Sequence, residues 1–256
     1  MKSILAVLVN YGEEQLGYLQ LVVSELKAME RYNVTVVVHS NIELPSIKGI
    51  DQVIVIELDN YQLLPMTCRQ TINNNSNDYD YFIFSENDHL WKEIHIDRFI
   101  EYSKILPKDR IAGLIQYERN STGRYYPAYH AHYDWDYNSV EVYEGKKFAH
   151  FTNIHQASFI ISKEQLNSIK QNKDFTQFFS NDHYSVKCKT NTDIYGYAGM
   201  KKLICITDFD DNLIHHLPNV YIDGADGYVK EDGTIGRRAK QRSDDNRMQQ
   251  ALKKLL

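Results

Sequence analysis

The chain has 256 residues, a formal net charge of −5 at pH 7, 43% hydrophobic residues and 25% charged residues. These values fit a globular protein with one large domain, and they argue against a surface given over to nucleic acid. No apolar run approaches the ~18 residues that span a bilayer. A cysteine count of 3, with no CxxC pair, predicts neither a disulfide framework nor a structural zinc site, so we expect a cytoplasmic protein.

The N-terminal part of the sequence alternates strand-like and helix-like patterns. Residues 4–9 are a continuous apolar run that predicts a buried strand, and residues 13–31 carry apolar side chains at helical spacing. Segments rich in valine and isoleucine at 33–39 and 52–58 predict two further strands, and 63–72 predicts a helix. The polar residues directly after the first run do not form the small-residue cleavage site of a signal peptide.

A second series of strands and helices follows an asparagine-rich loop. Residues 79–85 are rich in aromatic and β-branched side chains and predict a buried strand. A polar helix through Leu106 and a strand at 111–117 come next. Strands that alternate with helices indicate an α/β fold with a mostly parallel, Rossmann-like central sheet, whose ligands bind beyond the carboxyl ends of the strands.

The pattern then changes. Residues 118–151 are polar and aromatic with little periodicity, which predicts either a substrate-covering insertion or an irregular hairpin region. An apolar strand at 157–162 and a helix at 163–170, with Ser162 as its N-cap, restore the regular order. From Lys230 onward, eight Lys or Arg residues stand against four acids, so the C-terminal segment is locally basic.

The strand at 79–85 leads directly into Glu86, Asn87 and Asp88. Two carboxylates two residues apart at a strand end can point to the same side, where their oxygens suit a hard divalent cation such as Mn²⁺ or Mg²⁺. A cation there would bridge the phosphates of a nucleotide diphosphate and neutralise a leaving pyrophosphate. A polar turn whose acids cap the next helix is the structural alternative.

This order of elements, ending in Phe82-Ile83-Phe84-Ser85-Glu86-Asn87-Asp88, resembles the GT-A class of glycosyltransferases, whose metal-binding motif is Asp-x-Asp or a variant such as Glu-x-Asp. The resemblance covers about the first 120 residues and rests on topology and one short motif. It implies transfer of a sugar from a nucleotide-diphosphate sugar, a UDP-sugar foremost, to a carbohydrate or other hydroxyl acceptor. It also implies Mn²⁺ or Mg²⁺, with Asp88 as the main ligand and Glu86 on the metal or the ribose. Glu86 stands where the first Asp of the motif is more usual. Both direct and water-mediated binding of the metal are therefore compatible with this sequence.

The resemblance further implies one GT-A-like domain over residues 1–256. Residues 1–117 would be the nucleotide-binding half, 118–229 an irregular acceptor-side half, and 230–256 a basic C-terminal tail. That tail is either a solvated terminal helix or a contact with nucleic acid, phosphate or a membrane surface.

Three residues are expected to bind the nucleotide together with Glu86. Tyr11 ends the first strand, where it would stack on the base or form an edge of the core. Arg69, on the helix before the acidic strand, would contact the nucleotide or lie on the surface. Asn87 stands between the two carboxylates.

His215 and His216 are candidates for a third metal ligand, because a neutral imidazole is competent beside two carboxylates. Neighbouring residues of a strand face opposite ways, so one of the two would reach the metal, and we prefer His216.

An inverting transfer needs a carboxylate that takes the proton of the acceptor hydroxyl. Asp182 and Asp193 are the candidates, and Asp193 precedes an expected turn of small residues at 195–199. Both also suit helix caps or turns, and a retaining transfer would need no such base.

Two other classes of protein remain open. A metal-dependent hydrolase or nuclease could be centred on His130 and His132, with Asp134 and Asp136 just beyond them. A non-enzymatic sugar-binding module would account for the 19 tyrosines, but not for an acidic end to a buried strand.

Overall fold

A computed structural model describes residues 1–121, 123–127, 133–179, 184–217 and 245–256. Its strands are β1 (Lys2–Asn10), β2 (Tyr32–Ser40), β3 (Gln52–Val55), β4 (Tyr81–Glu86), β5 (His89–Leu90), β6 (Arg110–Ala112), β7 (Ile115–Asn120), β8 (Gly123–Tyr125), β9 (Trp135–Tyr143), β10 (Lys146–Phe151), β11 (Ser158–Ser162), β12 (Lys201–Cys205) and β13 (Leu213–His216). Its α-helices are α1 (Leu16–Lys27), α2 (Leu64–Asn74), α3 (Glu93–Ile105), α4 (Lys163–Asn172), α5 (Val186–Gly196) and α6 (Asp245–Leu255).

The chain folds into two compact units, and each is built from two separate stretches of sequence. Unit 1 comprises residues 1–96 and 157–200, and unit 2 comprises residues 97–156 and 201–256. Both contain helices and strands, so the α/β class is confirmed. The chain passes between the units three times, and the functional division expected at residue 117 stays a prediction.

Unit 1 is built on a five-stranded sheet with the order β11-β4-β1-β2-β3. β1 is parallel to both β2 and β4, and β2 is parallel to β3, which confirms the predicted mostly parallel sheet. Ile4, Leu5, Ala6, Val7 and Leu8 of β1 are at most 1% exposed, and this double-sided burial explains the uninterrupted apolar run. β11 is antiparallel to β4. The chain enters β11 from unit 2 rather than through a crossover helix, and an antiparallel direction needs no such helix.

The helix after β11 begins at the predicted N-cap. The Ser162 hydroxyl accepts a hydrogen bond from the backbone N–H of Gln165, and the Gln165 side chain accepts one from the backbone N–H of Ser162. This capping box satisfies two N–H groups at the start of the helix. Leu166 and Ile169 form the buried face of α4.

The strand predicted at 111–117 is divided into β6 and β7, which belong to different sheets. Gly113 lies at the break, where a Cβ atom would stand 2.2 Å from Cε of Lys202, so a side chain there would collide with the lysine stem. The next N–H, that of Leu114, donates to the side chain of Gln156 instead of to a strand. Sequence periodicity does not reveal either interaction.

Unit 2 contains a four-stranded sheet with the order β6-β12-β10-β9. β9 and β10 form a hairpin over residues 135–151 whose register shifts between Phe148 and His150, which agrees with the irregular hairpin that was one of the two alternatives for this segment. Its turn residues Glu144 and Gly145 have φ values of +46° and +80°, the combination of a type I′ turn. A further sheet of unit 2 pairs β13 parallel to β7 and β7 antiparallel to β8.

The end of the expected basic tail is packed rather than solvated on all sides. Met248, Ala251, Leu252 and Leu255 of α6 are buried in a core cluster that includes Trp135. The opposite face of the helix carries the exposed residues Lys253 and Lys254. The rest of the expected tail, up to residue 244, lies outside the described residues. Within the described ranges, no helix has the length and apolar character required to cross a membrane.

Candidate functional site

A cleft of about 630 Å³ opens in unit 1 at the carboxyl ends of β1 and β4. This volume lies within the range of about 300–1,000 Å³ that is usual for small-molecule sites. The position is the one expected for ligands of a parallel α/β sheet. The lining residues are Val9, Tyr11, Glu14, Gln15, Asp59, Asn60, Tyr61, Gln62, Leu64, Pro65, Glu86, Asn87, Asp88 and Lys187. Four residues predicted for the site, Tyr11, Glu86, Asn87 and Asp88, are thus brought to one cleft.

Hydrogen bonds tie the acidic end of β4 to the ends of its neighbouring strands. Asn87 Nδ2 donates to Asn10 Oδ1 at 2.7 Å, across the gap between β4 and β1. Asn10 Nδ2 in turn donates to the Gly12 carbonyl at 2.9 Å and to Ser40 Oγ of β2 at 3.3 Å. Asn10 and Ser40 are fully buried. This network connects the turn that carries Asp88 to the end of β1 and, through Asn10, to the end of β2.

Asp88 is 4% exposed and belongs to a turn rather than to β4. Its Oδ1 atom lies 2.8 Å from Nδ1 of the fully buried His89. Taking a carboxylate out of water is unfavourable unless the charge meets a cation or hydrogen-bond donors. His89 is a residue with metal-ligand chemistry that sequence analysis missed. In a continuous strand, the side chains of Asp88 and His89 would face opposite sides of the sheet. Asp88 lies in a turn instead, and its carboxylate contacts the His89 ring.

Two tyrosines belong to the same lining. The Tyr11 side chain is 63% exposed, and its ring centroid lies 5.6 Å from that of Tyr61 at an interplanar angle of 60°. The Asn60 side chain accepts a hydrogen bond from the Gln62 N–H and so caps the short 3₁₀ turn that carries Tyr61. Tyr61 was not predicted from the sequence, because its pairing with Tyr11 across 50 positions has no local signature. Exposed aromatic faces of this kind suit a planar ring.

Lys187 brings positive charge to a lining that also contains Glu14, Asp59, Glu86 and Asp88. It is exposed and lies at the second residue of α5, in the first turn of the helix. Free backbone N–H groups and the helix dipole favour anions near such a position. Lys187 was not predicted from the sequence, because an isolated surface lysine has no distinguishing pattern.

Arg69 and Asp193 form a buried ion pair apart from the cleft lining. Arg69 Nη1 lies 2.8 Å from Asp193 Oδ2, and both side chains are 0% exposed. Arg69 Nε donates to the Phe175 carbonyl, and the guanidinium stacks 4.8 Å and 4.3 Å from the ring centroids of Phe175 and Phe179. Burial lowers the pKa of Arg69 to about 10, although Asp193 opposes the shift.

These contacts bear on two predicted roles. Asp193 lies inside α5 and not before a turn, and it also accepts a hydrogen bond from the Phe179 N–H at 3.0 Å. The roles of Arg69 as a nucleotide contact and of Asp193 as a base stay predictions, and the packing favours a structural role. Three further candidates, Asp182, His130 and His132, lie outside the described residues.

The two adjacent histidines of unit 2 have different surroundings. His215 stacks on Tyr117 of β7, with ring centroids 4.8 Å apart and an interplanar angle of 16°. His216 Nδ1 lies 2.7 Å from Oε1 of Glu118, whose side chain is 0% exposed. The two rings contact successive residues of β7, as expected for neighbours on a strand.

No protein-family model matches this chain, and no curated protein sequence matches it.

Proposed function

We propose that this protein is a metal-dependent glycosyltransferase that moves a sugar from a nucleotide-diphosphate sugar, a UDP-sugar foremost, to an acceptor hydroxyl. The observation that carries the proposal is the shared lining of one cleft by the carboxylates Glu86 and Asp88 and the ring of Tyr11. Carboxylates and an aromatic ring in one cleft of about 630 Å³ suit the two chemically different parts of a nucleoside diphosphate, its phosphates and its base.

The lining fits a hard divalent cation. Glu86 and Asp88 offer carboxylate oxygens, which are the ligands that Mn²⁺ and Mg²⁺ prefer, and the burial of Asp88 favours neutralisation by a cation. A bound cation would supply Lewis-acid assistance to the leaving diphosphate. The role of His216 as a third ligand stays a prediction from the sequence.

The remaining steps belong to side chains of the lining. The exposed ring of Tyr11 would stack against the nucleobase, with Tyr61 packed beside it, and Glu86 would contact the metal or the ribose hydroxyls. Lys187 would pair with a phosphate oxygen through its ammonium group. Asn87 and Asn10 would keep the carboxylates in place through their mutual hydrogen bond. The acceptor would be a carbohydrate or another hydroxyl compound.

We also propose that the protein has a GT-A-like fold and is cytoplasmic. The parallel order β4-β1-β2-β3, with the acidic turn after β4, supports a GT-A-like nucleotide-binding region. We propose a cytoplasmic location, because Cys68, Cys188 and Cys205 form no disulfide bonds within the described residues.

A thermal unfolding screen tests the proposal. The protein is heated with a panel of nucleoside diphosphates and nucleotide sugars, with Mn²⁺ or with EDTA. A ligand at about 100 times its dissociation constant stabilises the fold by about 2.7 kcal/mol, which raises the melting temperature visibly. We expect a uridine nucleotide to give a shift that needs Mn²⁺. Strong stabilisation by Mn²⁺ or Zn²⁺ alone, with no nucleotide effect, would contradict the proposal and direct attention to His130 and His132.

A further inference from the structure

The helix α5 is held in unit 1 by different contacts from those that hold the preceding helix α4. α4 has a capping box and buries the hydrophobic side chains of Leu166 and Ile169. In α5 the buried residues are consecutive, from Lys189 to Tyr195, and the hydrophobic ones among them are Ile194 and Tyr195. Helices of globular proteins normally pack through a hydrophobic stripe that recurs every three to four residues, and α5 has no such stripe. The position of α5 must therefore depend on polar contacts.

The first turn of α5 is not stabilised by a side-chain cap either. Its N-cap residue is Ser185, a residue type that usually accepts a hydrogen bond from a backbone N–H of the first turn. Within the described ranges the Ser185 hydroxyl makes no such bond and donates instead to Cys188 Sγ at 3.0 Å. The end of α5 that carries Lys187 therefore depends on contacts made further along the helix.

The buried pair of Arg69 and Asp193 supplies such a contact. Arg69 Nη1 of α2 lies 2.8 Å from Asp193 Oδ2 of α5, and both side chains are 0% exposed. The pair also joins the segment before α5, because Arg69 Nε donates to the Phe175 carbonyl and Asp193 Oδ2 accepts from the Phe179 N–H. The bonds of a planar guanidinium fix direction as well as distance, whereas hydrophobic contacts are not directional. This pair thus sets how α5 lies on α2.

Both helices that the pair joins also belong to the cleft. Leu64 and Pro65 at the start of α2, and Lys187 in the first turn of α5, are residues of the lining. Asp193 follows Lys187 by six positions of the same helix, which is about 9 Å along the helix axis. A shift or rotation of α5 at Asp193 would therefore move the ammonium group of Lys187.

We propose that Arg69 and Asp193 are positioning residues, whose ion pair holds α5 on α2 so that Lys187 faces the cleft and pairs with a phosphate of the nucleotide. The inference rests on the proposed function, because the phosphate contact of Lys187 belongs to it. Replacement of a buried ion pair by hydrophobic residues of similar volume commonly preserves stability. The effect of the pair on position can therefore be measured apart from its effect on stability.

A double-mutant cycle with UDP in Mn²⁺, measured by isothermal calorimetry, tests the effect on the cleft. In wild type, Lys187→Ala should weaken UDP binding about 5- to 10-fold, the loss expected for one charged contact to a phosphate. In the background Arg69→Met/Asp193→Leu, the same change should weaken binding less than about two-fold, because the ammonium group is already displaced. Lys48→Ala, which alters an exposed lysine outside the lining, should leave UDP affinity unchanged in both backgrounds. A loss of equal size from Lys187→Ala in both backgrounds would overturn the inference.

Hydrogen exchange of backbone amides, measured without nucleotide, gives a second test with α4 as its internal standard. A general loss of stability speeds exchange in both helices alike, whereas local opening acts on α5 alone. In the variant Arg69→Met/Asp193→Leu, exchange of α5 relative to α4 should be about ten-fold faster than in wild type. An unchanged ratio would overturn the inference.

If that double variant does not fold, Arg69→Lys takes its place. Lysine keeps a cation beside Asp193 but lacks the planar fork that also bonds the Phe175 carbonyl. The exchange ratio of α5 to α4 should therefore rise in Arg69→Lys as well, and a ratio equal to that of wild type would contradict the inference.

The two measurements separate this inference from the proposed function. If wild type binds no UDP but the exchange ratio rises as expected, the glycosyltransferase proposal fails and the pair still positions α5. If wild type binds UDP in Mn²⁺, while the effect of Lys187→Ala and the exchange ratio are the same in both backgrounds, the proposed function holds and the inference fails.

Discussion

Asn87 donates a hydrogen bond to Asn10 at 2.7 Å and thereby joins the acidic turn after β4 to the end of β1. Both side chains are buried, at 4% and 0% exposure, and Asn10 extends the connection to Ser40 of β2. The two residues are 77 positions apart, yet both come directly at the carboxyl ends of adjacent parallel strands. The position of Asp88 thus depends on a side chain of another strand.

Asn10→Ala should destabilise the fold. It removes the acceptor of Asn87 and leaves a buried amide without that bond, which costs about 1–3 kcal/mol of unfolding free energy. Urea denaturation measures this loss, and the midpoint should fall. Asn172→Ala, at an exposed helix end, is the matched control and should stay within about 0.5 kcal/mol. Equal stability of the two variants would show that the strand ends do not depend on this network.

Tyr11→Ala should weaken the binding of a nucleoside diphosphate, because it removes one of two rings beside the cleft. Loss of a base-stacking contact costs about 1–3 kcal/mol in affinity. Isothermal calorimetry with UDP and with inorganic pyrophosphate, both in Mn²⁺, separates base from phosphate binding. Pyrophosphate affinity should not change. Tyr137→Ala, which alters a 38% exposed tyrosine of unit 2, should leave both affinities as in wild type.

Arg69→Met should destabilise unit 1 strongly. It leaves Asp193 as a buried carboxylate without its guanidinium partner, and breaking a buried pair on one side costs about 3–5 kcal/mol. The double variant Arg69→Met/Asp193→Leu should recover much of that loss, because neither charge then remains. Chemical denaturation of the three proteins tests this. If the single variant kept wild-type stability but lost nucleotide binding, Arg69 would be a ligand contact after all.

His39 should make stability fall in acid. It is 3% exposed and hydrogen-bonded to Thr67 and Thr71, and burial lowers its pKa from 6.5 to about 4. The unfolded chain therefore binds a proton near pH 6.5 while the folded chain does not, so the stabilisation present above pH 6.5 is lost as the pH falls toward 4. The loss reaches about 3 kcal/mol for this group. Urea denaturation between pH 7.5 and 4.5 should show a smaller decrease for His39→Gln than for wild type.

Secondary-structure elements that are determined by residues close together in the sequence were predictable. β1 and β4 are long apolar runs because both faces of the sheet are covered, and the capping box of α4 lies within four consecutive residues. Glu86, Asn87 and Asp88 were predictable at the end of β4 for the same reason. Contacts between distant residues were not predictable, and the Arg69–Asp193 pair spans 124 positions. The antiparallel direction of β11 was likewise not predictable, because it depends on the passage of the chain through unit 2 before β11, and hydrophobic periodicity does not reveal that passage.

The central claim is that Asp88 takes part in metal-dependent nucleotide binding, and calorimetric titration with UDP tests it most directly. Wild type should bind UDP in Mn²⁺ at least about ten-fold more tightly than in EDTA, a difference of about 1.4 kcal/mol. Asp88→Asn should lose that difference, whereas Asp78→Asn, an exposed acid of the loop before β4, should keep it. UDP affinity that is the same in Mn²⁺ and EDTA, or the same in Asp88→Asn and wild type, would contradict the account.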